Sequence, residues 1–231
     1  MRLASIMLLC ASAAAAEELR QDTAGFYPVW ENTGHIEAQG DVHLSTDHAQ
    51  LGLAGVAQVG VEPLGFIYRA PNVYAKFRVI DLGRWHLAAQ AGVFKLLEGA
   101  SSASISPAYT ARIDNRGYGI NLFPASMNAS VAVAPWLEVH QTLTLLGIFG
   151  SGPLKNRVVP GYSLVAEANP RGRHALSLHV AEIGFPGREF SIAGAAYRYR
   201  NTWLELRLGY FYRFTRAGDQ GGPLASLGVL L

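Results

Sequence analysis

Leu204-Glu205-Leu206-Arg207-Leu208-Gly209-Tyr210-Phe211-Tyr212-Arg213-Phe214 is the stretch on which the reading of this chain turns. Successive side chains of a strand point to opposite faces. The even positions from Leu204 to Phe214 therefore form one apolar row, while Glu205, Arg207 and Arg213 fall on the other. The cleanest alternation of all sets Ile36, Ala38, Gly40, Val42 and Leu44 against Glu37, Gln39, Asp41, His43 and Ser45. Each segment has one face that prefers hydrocarbon and one that prefers water.

Working outward, alternation and turn residues divide the chain into twelve strands, with ten as the alternative if the two ends do not pair. They are His35 to Ser45, Gln50 to Glu62, Asn72 to Ile80, a fourth from Trp85, Ser102 to Ile113 and Ser126 to Ala134. Then follow Trp136 to Phe149, Gly161 to Ala168, His174 to Ile183, Glu189 to Tyr199, Thr202 to Thr215 and Leu224 to Leu231. Tyr118 to Ala125 is ambiguous and reads as part of a long loop. Connections after odd strands are the longer ones, notably 114–125 and 150–160, and those after even strands are shorter.

The first sixteen residues read as a cleaved signal peptide: Arg2, an apolar run from Leu3 to Ala16, and an A-x-A site at Ala14-Ala15-Ala16. Cys10, the only cysteine, belongs to that run, and Leu9 stands where a lipoprotein signal needs a small residue. A disulfide or thiolate metal site in the mature chain is thereby excluded. Residues 17–34 lack clean alternation and read as a periplasmic or lumenal segment ahead of a barrel over 35–231. No apolar run past residue 16 is long enough for a membrane helix.

Half of the 231 residues are apolar and only 16% are charged, against about a quarter in soluble domains. A net charge of +2 without a basic run excludes a nucleic-acid footprint. Phosphate-binding loops, dinucleotide fingerprints, zinc spacings and nucleophile elbows are missing, so no cofactor is expected. The outward rows carry no Lys, Arg, Asp or Glu through mid-strand. A lipid-exposed Arg or Lys there costs about 2–4 kcal/mol, and an open sheet edge finds no water in a bilayer. A closed barrel meets both constraints. The soluble competitor, a secreted sandwich or lipocalin-like barrel, wants bulk in its core where this chain has Ala and Gly.

Arg207 to Phe214 resembles the assembly signal on the closing strand of bacterial outer-membrane β-barrels: a polar residue, a Gly two later, then aromatics around one position. It departs from that pattern in place, since 17 residues follow Phe214 and the last is Leu231. The resemblance implies a closed antiparallel transmembrane barrel in the outer membrane. It also implies outer-membrane lipid and the barrel-assembly machinery as partners. Trp85, Trp136, Tyr162, Trp203 and Tyr212, near strand ends, suit interfacial girdles.

Function then rests on the inward rows. Lumen-lining candidates are Glu37, Asp41, His43, Lys76, Arg78, Arg112, Glu138, His140, Glu167, Glu205 and Arg207. Acids and bases nearly balance, which fits either an interior salt-bridge network or a narrow passage for small solutes. In size the chain resembles twelve-stranded porins for acidic sugars, whose dense Arg and Lys ladders it lacks. Two further classes remain, a structural or adhesive barrel and a barrel lipid hydrolase. For the last, His43-x-Ser45 matches part of the His-x-Ser-Asn motif of barrel lipid A deacylases, with Thr46 in place of Asn. The strand register points both residues inward, whereas that family turns the pair toward lipid. Lys76 and Arg78 are expected to meet Glu37, Asp41 or Glu62 across the lumen.

Overall fold

A computed structural model describes residues 33–46, 48–63, 66, 71–97, 103–106, 109–111, 120–150, 156–183, 190–215 and 220–231. The expected signal peptide and most of 17–34 lie outside these residues. Among the described residues are fourteen strands: β1 Val42–Ser45, β2 Ala49–Leu53, β3 Ala57–Val61, β4 Asn72–Leu82, β5 Trp85–Leu96, β6 Ala103–Ser106, β7 Tyr109–Ala111 and β8 Ile120–Ala134. The rest are β9 Leu137–Gly150, β10 Arg157–Ala168, β11 His174–Ile183, β12 Phe190–Arg200, β13 Leu204–Thr215 and β14 Gln220–Leu230. Twelve of them close into one antiparallel barrel, ordered β1-β14-β13-β12-β11-β10-β9-β8-β5-β4-β3-β2, and β6 pairs only with β7. His43 opposite Leu230 and Ser45 opposite Gly228 make the closing pair, so the ends meet.

Twelve is reached by a different division of the chain from the one expected. The stretch 50–62 is two strands, not one: Leu53 pairs with Ala57 across a turn in which Ala54 and Gly55 take φ of 52° and 63°. The fifth expected strand, 102–113, leaves the wall, and its described part forms the β6–β7 hairpin. In its place β8 starts at Ile120, inside the stretch read as a loop, and runs through Pro124. One strand gained and one lost leave the count unchanged, but the β4 and β5 directions are opposite to those expected. The first strand is also shorter. Residues 35–38 are irregular, 39–40 turn, and pairing begins at Val42.

Outward rows stand as expected from Val42 onward, whereas Ile36, expected on the first of them, is buried. Val73 and Phe77 on β4, Leu143 and Leu145 on β9, and Leu208 and Tyr210 on β13 are exposed, as are Leu176, Leu178 and Val180 on β11. Trp85, Trp136 and Trp203, each more than half exposed, lie in or beside the tight connections 83–84, 135–136 and 201–203, all at one end of the wall. The longer connections, 62–71 and 97–119, leave from the opposite end. β1 to β3 have only four or five residues each, so the wall is lower there than at β4 or β14, with 11 each. No helix among the described residues is long and apolar enough to cross a membrane.

Candidate functional site: the occluded lumen

Position in the wall explains where the inner charges gather. Glu138 follows the 135–136 turn, Glu167 ends β10, Arg198 and Arg200 end β12, Glu205 and Arg207 begin β13, and His86 begins β5. All lie at the tight-turn end and all are buried. Toward the other end the inward rows turn apolar, with Phe94, Leu122, Leu146, Val159, Ile192 and Phe211 buried. The lumen thus divides into a polar half and an apolar half.

The polar half is filled by the N-terminal segment. Thr33 to Glu37 are all buried, and their partners are inward residues on strands far apart in the wall. Gly34 N donates to Ser130 Oγ at 2.7 Å. His35 Nε2 lies 2.5 Å from Glu138 Oε1, with its ring 4.1 Å from that of His86. Glu37 N donates to Gln58 Oε1 at 2.9 Å, Gln58 Nε2 to Gln50 Oε1 at 2.9 Å, and Gln50 Nε2 to Glu37 Oε1 at 2.7 Å, a closed circuit. The segment therefore crosses the inner wall from β8 and β9 to β2 and β3. Burial pushes the His35 imidazole below the usual histidine range, against the raising effect of Glu138.

The remaining arc is an ion-pair network. His43 lies 3.7 Å from Glu37 Oε1 and 3.5 Å from Glu205 Oε1. Arg207 pairs with Glu205, and Arg198 reaches Glu167 at 3.1 Å and Glu205 at 3.9 Å. His140 joins Glu167 at 3.4 Å to Ser130 Oγ at 2.7 Å, which leads back to Gly34. Buried charges are tolerated because each acid answers a base, and removing one partner costs about 3–5 kcal/mol.

Of the sequence candidates, the network brings together Glu37, His43, Glu138, His140, Glu167, Glu205 and Arg207. Glu37 enters it from the lumenal segment and not from a strand, and Asp41 sits at the bend before β1. Lys76 is inward and buried, in register with Gln58 and Gln90 on the neighbouring strands. Arg78, beside a bulge at the rim, pairs instead with Asp81 at 3.0 Å, three residues on. Arg112 lies outside the described residues. Ser45 Oγ closes the β1–β2 turn on the His48 backbone, and His48 Nε2 stands 3.2 Å from His43 Nδ1, between the two expected partners. His35, Gln50, Gln58, His86, Arg198 and Arg200 were not singled out by the sequence. Alternation with the outward row of its own strand places each wall residue among them inward, whereas nothing local marks His35.

The fold and this interior define a closed twelve-stranded barrel with an apolar outer wall and a charged, filled lumen. No protein-family model matches the chain, and no curated protein matches its sequence. Among solved structures it is similar to the KdgM porin in complex with disordered oligogalacturonate, at 8% identity and a TM-score of 0.50, over 82% of this chain and 95% of that one. OmpT of Vibrio cholerae in its trimer form is similar at 10% identity and a TM-score of 0.44, over 93% and 73% of the two chains. The anion-selective porin from Comamonas acidovorans follows at 13% identity and a TM-score of 0.41, over 79% and 56%. These neighbours are outer-membrane porins, and the likeness to them is one of fold.

Proposed function

We propose that this chain is an outer-membrane barrel forming a narrow passage for small solutes, closed at rest by its own N-terminal segment. The observation that carries this reading is the nature of the closure. Residues 33–37 are held in the lumen through hydrogen bonds and ion pairs to five wall strands, β1, β2, β3, β8 and β9, with a ring contact to His86 on β5, and polar contacts of this kind exchange readily for water. A barrel serving only as an anchor is stabilised at least as well by apolar filling. The match in size to the KdgM porin supports the porin class. Its printed ligand, an oligogalacturonate, does not transfer. Among the described buried residues Glu37, Glu138, Glu167 and Glu205 offset Lys76, Arg198, Arg200 and Arg207, which leaves no surplus of positive charge there for acidic sugars.

Residues 1–16 act in this reading as the export signal, and the closing strands engage the barrel-assembly machinery. Conductance in planar bilayers tests the passage. The parent should show brief, rare openings, and Glu138→Ala, which frees His35, should raise the open fraction at least tenfold. Silence in both proteins defeats the passage and leaves a structural barrel.

A further inference from the structure

His35, His86 and Glu138 come from three separate parts of the chain: the lumenal segment, the start of β5 and the start of β9. All three are buried, and one ligand atom from each lies within 4.8 Å of the others. Side chains of this kind rarely share a dry interior without a partner that satisfies them, because each unmet polar atom costs about 1–3 kcal/mol. One atom is unmet. His86 is more than nine-tenths buried, and its Nε2 has no hydrogen-bond partner among the described residues.

The other ring nitrogen shows what that atom is prepared for. His86 Nδ1 lies 2.9 Å from Asp81 Oδ1, and in the neutral tautomer with Nδ1–H facing that carboxylate, Nε2 carries the lone pair. A carboxylate behind an imidazole is the arrangement that orients metal-binding histidines and raises their basicity. Two imidazole nitrogens and one carboxylate oxygen suit a borderline divalent ion such as zinc, with a fourth position open to water. Calcium and magnesium want oxygen ligands throughout. Around zinc, at bond lengths near 2.0–2.2 Å, ligand atoms stand about 3.3 Å apart. His35 and Glu138, at 2.5 Å, would part slightly to admit the ion, while His86 would move in.

We infer that His35, His86 and Glu138 form a zinc-class divalent metal site that clasps the N-terminal segment to the barrel wall, with Asp81 as a positioning residue. The site stands on its own geometry. Its consequence for conduction, a passage held shut by the ion, rests on the channel reading above.

The test uses the full-length protein in detergent micelles, without a polyhistidine tag and stripped with a chelator, titrated with zinc chloride by calorimetry. One zinc ion per chain is expected. His86→Ala should lose that binding, Asp81→Ala should weaken it about 10–100-fold, and His179→Ala, a lumenal histidine outside the cluster, should leave it unchanged. Asp81 lies at the rim with a side chain 37% exposed, so its variant serves if His86→Ala does not fold. Cobalt substitution of the parent adds a signature that does not depend on any variant: an intense tetrahedral ligand-field spectrum with nitrogen and oxygen donors. No zinc uptake, uptake equal in the parent and Asp81→Ala, or an octahedral cobalt spectrum overturns the site. Zinc bound with no fall in conductance keeps the site and refutes only its role in closure.

Discussion

Replacing Gly34 by alanine should loosen the lumenal segment without disturbing the wall. An alanine Cβ at this position would lie 2.1 Å from the His86 carbonyl oxygen and 2.9 Å from Ser130 N. Both atoms belong to the β5–β8 ladder, where His86 pairs with Ser130, so the segment must move and the wall stays. A displacement of about an ångström breaks the bond from Gly34 N to Ser130 Oγ and pulls His35 off Glu138. A neutral hydrogen bond contributes about 0.5–1.5 kcal/mol net and a charged one about 1.5–3. The loss is therefore about 2–4.5 kcal/mol of docking energy, or roughly a 30- to 1600-fold larger undocked population at about 1.4 kcal/mol per decade. Cys10 is the only native cysteine, so Ile36→Cys on a Cys10→Ser background reports undocking through its labelling by a water-soluble maleimide. Ile36 is 6% exposed when docked, and the labelling rate should follow the undocked fraction. A folded Gly34→Ala protein labelled within twofold of the parent rate would refute the docking.

Charge placement gives the other expectations. Leu178, two-thirds exposed in the middle of β11, faces lipid in the membrane reading; Leu178→Arg should lower stability by about 2–4 kcal/mol in urea titrations read by heat-modifiable migration. Equal stability would mean that the face or the membrane is wrong. Glu205 is buried among Arg207, Arg198 and His43, so Glu205→Ala should cost about 3–5 kcal/mol in the same assay. Arg78→Ala removes only a pair that is more than a third exposed on both sides and should cost less than about 1 kcal/mol. A reversed order for these two would contradict the assignment of buried and open charge.

The outer wall was legible because one rule holds along every strand: the outward positions are apolar, as the membrane reading requires. Val73, Phe77, Leu143 and Leu208 obey it, and each is exposed in the barrel. That rule reports a face and not a partner. Ile36, Glu37 and their neighbours alternate as well as any strand, yet Ile36 is buried in the lumen and no strand pairs with it. An extended segment lying inside a barrel also presents one side to a wall and one to its own interior. The period is the same, and only the position along the chain differs. For that reason the plug was invisible to periodicity, and with it the meeting of His35, His86 and Glu138, which depends on contacts about 50 to 100 residues apart.

The misread turns have a physical cause of their own. Leu53 pairs with Ala57, so positions of equal parity face the same way on β2 and β3. Leu51, Leu53, Gly55, Ala57, Val59 and Val61 then run as one unbroken apolar row through a turn. Its residues lack the Asn-Gly or Asp-Gly signature, since Ala54 takes a positive φ that alanine adopts only at a cost of about 1–2 kcal/mol. Pro124 hides the start of a strand that was otherwise read correctly. It marks a break by sequence, because proline cannot donate to a ladder. In β8 it falls in a gap of the β5 pairing, between Ala91–Ala125 and Phe94–Leu122, where no donor is needed. The hidden turn takes one strand from the count and the hairpin read as a wall strand over 102–113 adds one, so correct parity here certified closure and not the path of the chain. Replacing Ala54 by glycine tests the turn: it removes strain of about 1–2 kcal/mol against an unfolded-state entropy cost of about 0.4–1 kcal/mol, so the net shift should be stabilising. In a continuous strand from 50 to 62 the same change would place a glycine in a strand interior and destabilise it by roughly 0.5–1 kcal/mol. The sign of the shift in urea midpoint therefore decides between one strand and two.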